Sequence, residues 1–246
     1  MTEKELADRY YRIYTEQIRR AGAATGLRDA VLELEGNVIA AYGGDGHFLT
    51  QVVGLARAKP ELWKEIDAWY KGRTASYEAA ICPVDRWEAF GELGAFGFQS
   101  FAWTRVSARK TDDPPPINAD VRRIDPSEAN LWPLTLARGD LAKAEMFRAM
   151  AEMVGGEMFF AEVEGKTVGG SLLLETEDGA YLSCGGVFPE YRNRGLHTAM
   201  IAARLHHLGP GKIAFFEANA WSVSARNGAR AGFVPVMDNL LLRKWL

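Results

Sequence analysis

In the run GGVFPEYRNRGLHTAMIAARL, Gly185 to Leu205, a strand-like stretch passes through a basic, glycine-containing turn straight into an apolar helix. Such a junction does anion chemistry. The first amides of a helix have no intrahelical acceptor, and their dipoles sum to a partial positive charge, so a phosphate sits there readily. Arg192-Asn193-Arg194-Gly195 delivers those amides directly after the strand, and Gly195 permits a backbone conformation and a close approach that a Cβ would hinder. Each charge–dipole contact contributes roughly 0.3 to 2 kcal/mol. Several amides and an arginine therefore hold a pyrophosphate, whereas a short anion gains too little for tight binding. The ligand that suits this turn has more than a phosphate to offer.

The segment resembles the pyrophosphate loop of the GNAT-type N-acetyltransferases, the superfamily that moves an acyl group from acyl-CoA to an amine. The family motif, Gln/Arg-x-x-Gly-x-Gly/Ala at a strand-to-helix junction, is met by Arg192-Asn193-Arg194-Gly195-Leu196-His197, and the preceding V-x-P-x-Y-R run by Val187-Phe188-Pro189-Glu190-Tyr191-Arg192. His197 departs from it, standing where the family commonly has Gly or Ala. The resemblance covers about residues 119 to 246. In S-x-R-N-x-x-R-A-G-F, Ser224 to Phe233, it is similar to a branch of two-unit GNAT proteins whose first half is a degenerate copy.

The resemblance implies an α/β chain with an α+β mixed sheet, the acyl-CoA N-acyltransferase fold in two tandem units. It also implies acetyl-CoA as co-substrate and an amine as acceptor. The backbone at Gly186, Val187 and Phe188 would then face the pantetheine arm, with the Val187 or Phe188 amide meeting the oxyanion. The amides of Arg192, Asn193, Arg194, Gly195, Leu196, His197 and Thr198 would face the pyrophosphate, and Asn227 would touch the CoA arm. An alkyl ammonium with a pKa of about 10.4 has no lone pair to attack a thioester, so a base must take its proton. Glu217, at the end of FFEANA, is the candidate, and Glu175 and Glu177 belong to an exposed turn. Many relatives place a proton-donating tyrosine four residues before a Gly-Phe pair; here that position is Gly228. Direct attack needs no covalent intermediate.

Those residues need elements to carry them. KTDDPPPINA, Lys110 to Ala119, is the clearest seam, because three successive prolines fix their φ angles and remove amide donors. It sets a first domain over 1–110, a linker over 111–118 and a second domain over 119–246. In the first, helices are predicted over 3–22, from Pro60 and from Asp85, and strands near 28–34, 48–56, 75–82 and 98–108. In the second, helices start in DPSEANLWPL and AKAEMFRAMAEM. Three strands of an antiparallel meander follow, joined at Glu164-Gly165 and Asp178-Gly179. Helix 195–208 carries Leu196, Met200, Ile201, Leu205 and Leu208 on its apolar face. KIAFFEA is a strand, a short helix covers 222–231, and FVPVMDNLLLRKWL holds two strands. Gly185-Gly186 fits a bulge that splays its strand from KIAFFEA.

A faint repeat links the halves. Cys82 precedes Gly97-Phe98 by the same 15 positions that separate Glu217 from Gly232-Phe233, and each segment reads strand, short helix, Gly-Phe, strand. The first copy has GLARAKPELWKE where the second has VFPEYRNRGLHT, so it lacks the basic glycine turn. Its aromatic residues Trp63, Trp69, Tyr70, Trp87, Phe90, Phe96 and Phe98 are core by default.

A net charge of −3 with interspersed signs advertises neither nucleic acid nor an anionic membrane as partner. Cys82 and Cys184 lie far apart, and His47, His197, His206 and His207 form no ligand set, so reduced thiols and no metal are expected. The charged N-terminus and the absence of an 18-residue apolar run suggest a cytoplasmic protein. The acceptor is left open between small-molecule amines and peptide amines, and a homodimer stays among the states open to the chain. Two rivals remain: a CoA-sensing or protein-binding module that has lost its chemistry, and a nucleotide-phosphate binder.

Overall fold

The structure is a computed structural model of the 246-residue chain and describes residues 1–45, 47, 49–82 and 88–246. The chain divides into two compact units, one of Met1–Val106 with Val236–Leu246 and the other of Ser107–Pro235.

The first unit runs α1 (Glu3–Ala24), β1 (Val31–Leu34), β2 (Val38–Ala41), β3 (Gln51–Val53), α2 (Pro60–Tyr70), β4 (Ser76–Ile81), α3 (Ala89–Ala95) and most of β5 (Phe98–Lys110). Its last strand is β11 (Val234–Trp245), which lies between β4 and β5 and pairs antiparallel with β4 from Leu240↔Ile81 to Trp245↔Ser76. Pro60 opens α2, where a missing amide costs nothing. Trp63, Ile66 and Tyr70 of that helix are buried with Tyr77, Ala79, Ile81, Phe98, Leu240 and Leu242. Trp69, Phe90 and Phe96 pack against this core, while Trp87 and the helix start at Asp85 lie outside the described residues.

The second unit continues with β6 (Val121–Arg123), α4 (Leu131–Ala137), α5 (Leu141–Val154), β7 (Glu157–Val163), β8 (Lys166–Thr176), β9 (Gly179–Val187), α6 (Leu196–Leu208), β10 (Ile213–Asn219) and α7 (Val223–Arg230). Its strands stand in the order β10-β9-β8-β7-β6, with β9 and β10 parallel and the other pairs antiparallel. The five apolar residues expected on α6 are all buried. Ile201, Leu205 and Leu208 pack with Phe159, Leu173, Leu182, Phe216 and Phe233. At roughly 1.5–3 kcal/mol per fully buried large side chain, this face fixes α6 on the sheet and hence the position of its N-terminus.

Two features differ from the sequence expectation. FVPVMDNLLLRKWL forms one strand, β11, and not two. The strand runs on through Asp238 and Asn239, where Arg105 donates to both Asp238 carboxylate oxygens at 2.7 and 2.9 Å and Asn239 is buried. The compact units also divide elsewhere than at the prolines. Strand β11 joins the first unit through β4. Residues 111–118 belong to the second, where Thr111 N–H donates to Lys212 O, Asp112 accepts from Gly211 N–H, and Pro115 O meets His206 Nε2. The repeated pattern is present in both halves: β4, α3, Gly97-Phe98, β5 and β10, α7, Gly232-Phe233, β11, each glycine at positive φ.

No helix among the described residues is long and apolar enough to cross a membrane. Packing also explains Gly228. A Cβ there would stand 2.9 Å from two ring carbons of the buried Phe216. Gly228→Ala is therefore expected to lower stability by about 1–3 kcal/mol through overpacking, read as a fall in the urea midpoint at unchanged slope.

Candidate functional site

The site begins with a miscount between two strands. On β8 the register passes from Gly170 to Leu172, two residues, while on β9 it passes from Gly186 to Ser183, three. The additional residue makes a bulge in β9. Gly185-Gly186 was the expected bulge, and the break does fall there, but the residue at positive φ is Cys184 (φ +53°). Strands β9 and β10 are paired at Ala180, Tyr181 and Leu182, and the pairing ends there. Beyond the bulge Phe188 N–H donates to Val168 O at 2.8 Å. Antiparallel pairs alternate, so the next pair, Gly169↔Val187, turns its N–H and C=O groups away from the partner strand. Val187 therefore turns its backbone edge to the side where β10 has left, its C=O accepting from Arg192 Nε at 3.3 Å.

The chain then makes a short turn over Pro189–Tyr191 and enters α6 with Gly195 as N-cap at φ +76°, a region that favours glycine. The first helical bond is Ala199 N–H to Gly195 O, so the N–H groups of Leu196, His197 and Thr198 have no intrahelical acceptor. Strand edge and helix end open on one cleft of about 640 Å³. Its far wall is α7, capped by Ser222, which accepts from Ala225 N–H.

His197 ties these walls together. Arg230 Nη1 donates to Asn227 Oδ1 at 2.9 Å, which turns Asn227 Nδ2 toward His197 Nδ1 at 3.3 Å. Since Nδ2 only donates, Nδ1 is the bare nitrogen and the proton is on Nε2. Nε2 faces Ser224 Oγ at 3.5 Å and lies near Gly185. Burial lowers the imidazole from its ordinary 6.5 to about 4; the Arg204 charge adds to this, and a bond to the Gly185 backbone opposes it.

Among the described residues no aspartate or glutamate lines the cleft, and Arg192 and Arg230 do. Among the described residues Arg192, Arg194, Arg226 and Arg230 form no ion pair. Arg192 reaches Val187 O, Arg194 lies over the Tyr191 ring and Arg226 reaches Trp221 O. In a chain of net charge −3 this is a local surplus of positive charge around a concave site. No described group of three or more His, Cys, Asp or Glu residues is arranged to hold a metal ion.

No protein-family model matches the chain, and no curated protein matches it in sequence. Solved structures do. A GCN5-related N-acetyltransferase from Kribbella flavida is similar over 92% of this chain and 95% of its own, with a TM-score of 0.63 and 15% identity. A tandem GNAT protein from the clavulanic acid biosynthesis pathway is similar over 100% of this chain and 97% of its own, with a TM-score of 0.58 and 11% identity. The chain has the GNAT fold. A GCN5-related N-acetyltransferase from Sphaerobacter thermophilus matches over 79% of this chain and 73% of its own, with a TM-score of 0.58 and 17% identity.

On this GNAT fold the residues expected to face CoA divide. Gly186, Val187, Arg192, Asn193, Gly195, Leu196, His197, Thr198 and Asn227 come together around the cleft. Phe188, Arg194 and Glu217 are not among its lining residues. The Phe188 amide is not the oxyanion donor considered for it, being bonded to Val168 O, and the Arg192 amide is bonded to Pro189 O. His197 is no outward-facing helix residue but part of the wall-to-wall relay. Glu217 sits on β10 and accepts from Tyr181 Oη at 3.2 Å. Glu175 is exposed and paired with Lys212. The sequence reading missed Gly185, Tyr191, Val223, Ser224 and Arg230 as lining residues, although Tyr191, Ser224 and Arg230 stand inside the quoted motifs.

The lowered His197 pKa has a sign that can be measured. Between about pH 6.5 and 4 the unfolded chain holds one proton more at this site than the native protein, so stability rises with pH. The contribution is complete above pH 6.5 and is lost toward pH 4, on the order of 3 kcal/mol. In urea titrations across this window His197→Gln should lose less stability than the native protein; equal losses contradict the buried neutral imidazole.

Proposed function

We propose that the chain is an acyl-CoA-dependent N-acyltransferase whose second unit takes acetyl-CoA and passes acetyl to a primary amine by direct attack in a ternary complex. One observation supports it above the others: a strand edge at Val187 that no strand pairs, the exposed amides opening α6 and arginines without carboxylate partners meet in a single cleft. A free phosphate would use only the helix end. A ligand with a diphosphate, a chain of amides and a reactive terminus uses the helix end and the strand edge together.

The residues fit that ligand in shape and charge. At Gly195 no atom lies within 4 Å of where a Cβ would stand, so the turn leaves room for phosphate oxygens. Leu196, His197 and Thr198 offer N–H groups to them, with Arg192 alongside. The Val187 N–H offers a backbone pairing to an amide of the pantetheine arm, and its C=O does so once Arg192 Nε turns from it toward phosphate. Acetyl-CoA, when bound, supplies an acetyl group activated as a thioester.

Glu217 then takes the proton of the incoming ammonium, directly or through water. Tyr181 steadies the carboxylate by donating to Oε2. Holding thioester and amine side by side supplies much of the rate, on the order of 7 kcal/mol in favourable cases. With glycine at 228 and Phe216 filling the adjacent space, no tyrosine protonates the departing thiolate from that position, and water takes the role. The acceptor is a small-molecule or peptide amine.

Thiol release from acetyl-CoA across a panel of polyamines, aminoglycosides, amino acids and N-terminal peptides tests the proposal. Glu217→Gln should keep acetyl-CoA affinity in calorimetry and lower kcat by roughly 10²–10⁴-fold. Calorimetry that finds no acetyl-CoA binding to the native protein defeats the cofactor assignment. Native-like turnover in Glu217→Gln defeats the base.

A further inference from the structure

One charge in the second unit has no place in the proposed chemistry. Arg204, on α6, is fully buried at 0% exposure and has no carboxylate partner among the described residues. Its Nε donates to Met200 O at 3.0 Å within its own helix, and its Nη2 has no hydrogen-bond partner. Burial lowers its pKa to about 9. Met200, Ile201, Leu205 and Leu208 around it are apolar and buried, and an apolar side chain at 204 would avoid the desolvation of a guanidinium. Helix packing alone gives no reason for an arginine here.

The reason lies in what Nη1 touches. It donates to Leu172 O at 2.9 Å and to Ser183 O at 3.1 Å. Leu172 and Ser183 face each other as the last matched pair before the β8–β9 register breaks. The next residue, Cys184, is held at φ +53°, a conformation that non-glycine residues adopt only under constraint. A one-residue slip at the bulge would remove it and turn every following side chain to the other face. The unpartnered Nη2 lies just beneath the cleft floor, 3.6 Å from the point a Cβ on Gly185 would occupy.

We infer that Arg204 is a positioning residue: by clasping the carbonyls of Leu172 and Ser183 it locks the bulge that turns the Val187 backbone edge into the cleft. The clasp and its geometry stand without any ligand. Its consequence for acetyl-CoA rests on the proposed function.

The test compares native protein with Arg204→Met, which keeps length and removes the donors, and Arg204→Lys, which keeps charge and offers a point donor. Hydrogen exchange over 183–188 and the rate of Cys184 labelling by a thiol reagent are read with mass mapping. Burial raises the Cys184 thiol pKa and the Arg204 charge opposes this, so loss of the charge alone slows labelling and a faster rate reports opening of the strand. In Arg204→Met both rates should rise by about 10-fold or more, while exchange in β6 and β7 stays within about 2-fold of native. Acetyl-CoA affinity should fall by about 10-fold or more, with Arg204→Lys between the two. A uniform rise in exchange across the unit indicates plain loss of stability and overturns the inference, as do native rates at 183–188 in a folded Arg204→Met. Should that variant not fold, Arg204→Lys decides on the same two readouts. Native protein that shows the slow rates yet binds no acetyl-CoA removes the functional reading and leaves the clasp standing.

Discussion

Three residues of β9 set against two of β8 are the constraint on which the second unit turns. In a regular ladder Val187 would be a strand residue like its neighbours. The additional residue changes the direction of β9 after Leu182, where its pairing with β10 stops, and the alternation of antiparallel pairs then points the Val187 N–H and C=O away from β8, the C=O toward Arg192 Nε. Helix α6 follows within a few residues. Its position is set by its buried apolar face, so the amides at its start are aimed by packing along the whole helix.

Charge acts on top of this geometry. The arginines near the cleft carry no carboxylate partner, whereas much of the remaining basic surface is paired. In the first unit the corresponding turn is built differently. Its turn after Gly54 leads into α2 at Pro60, which has no amide to offer, and Arg57 is engaged by Asp8 at 3.0 Å and lies over the Tyr11 ring. The cavity left there is about 30 Å³, room for little more than a water molecule.

What was legible in the sequence was whatever local periodicity and turn chemistry decide. The apolar face of α6, the meander between Glu157 and Val187, and the Gly-Phe pairs after α3 and α7 follow from spacing alone. That Arg192, Asn193 and Gly195 to Thr198 line one cleft was legible because the motif is contiguous, while Arg194 turns to the Tyr191 ring instead. What escaped depends on partners far away in the chain. Cys184 takes the strained position beside two glycines because the β8 register demands it there. Phe188 loses its amide to Val168, and β11 runs on through Asp238, where Arg105 donates to the carboxylate. His197 turns inward because Asn227, oriented by Arg230, meets it across the cleft. None of these pairings leaves a trace in local sequence pattern.

The central claim is that the amides opening α6 receive the diphosphate of coenzyme A. Amide exchange resolved to residues 193–198, with and without saturating CoA, tests it most directly. The account predicts that exchange slows in this segment and at Val187, while α1 and α2 of the first unit are unchanged. Binding that slows neither 193–198 nor Val187, or that protects the first unit instead, would contradict it.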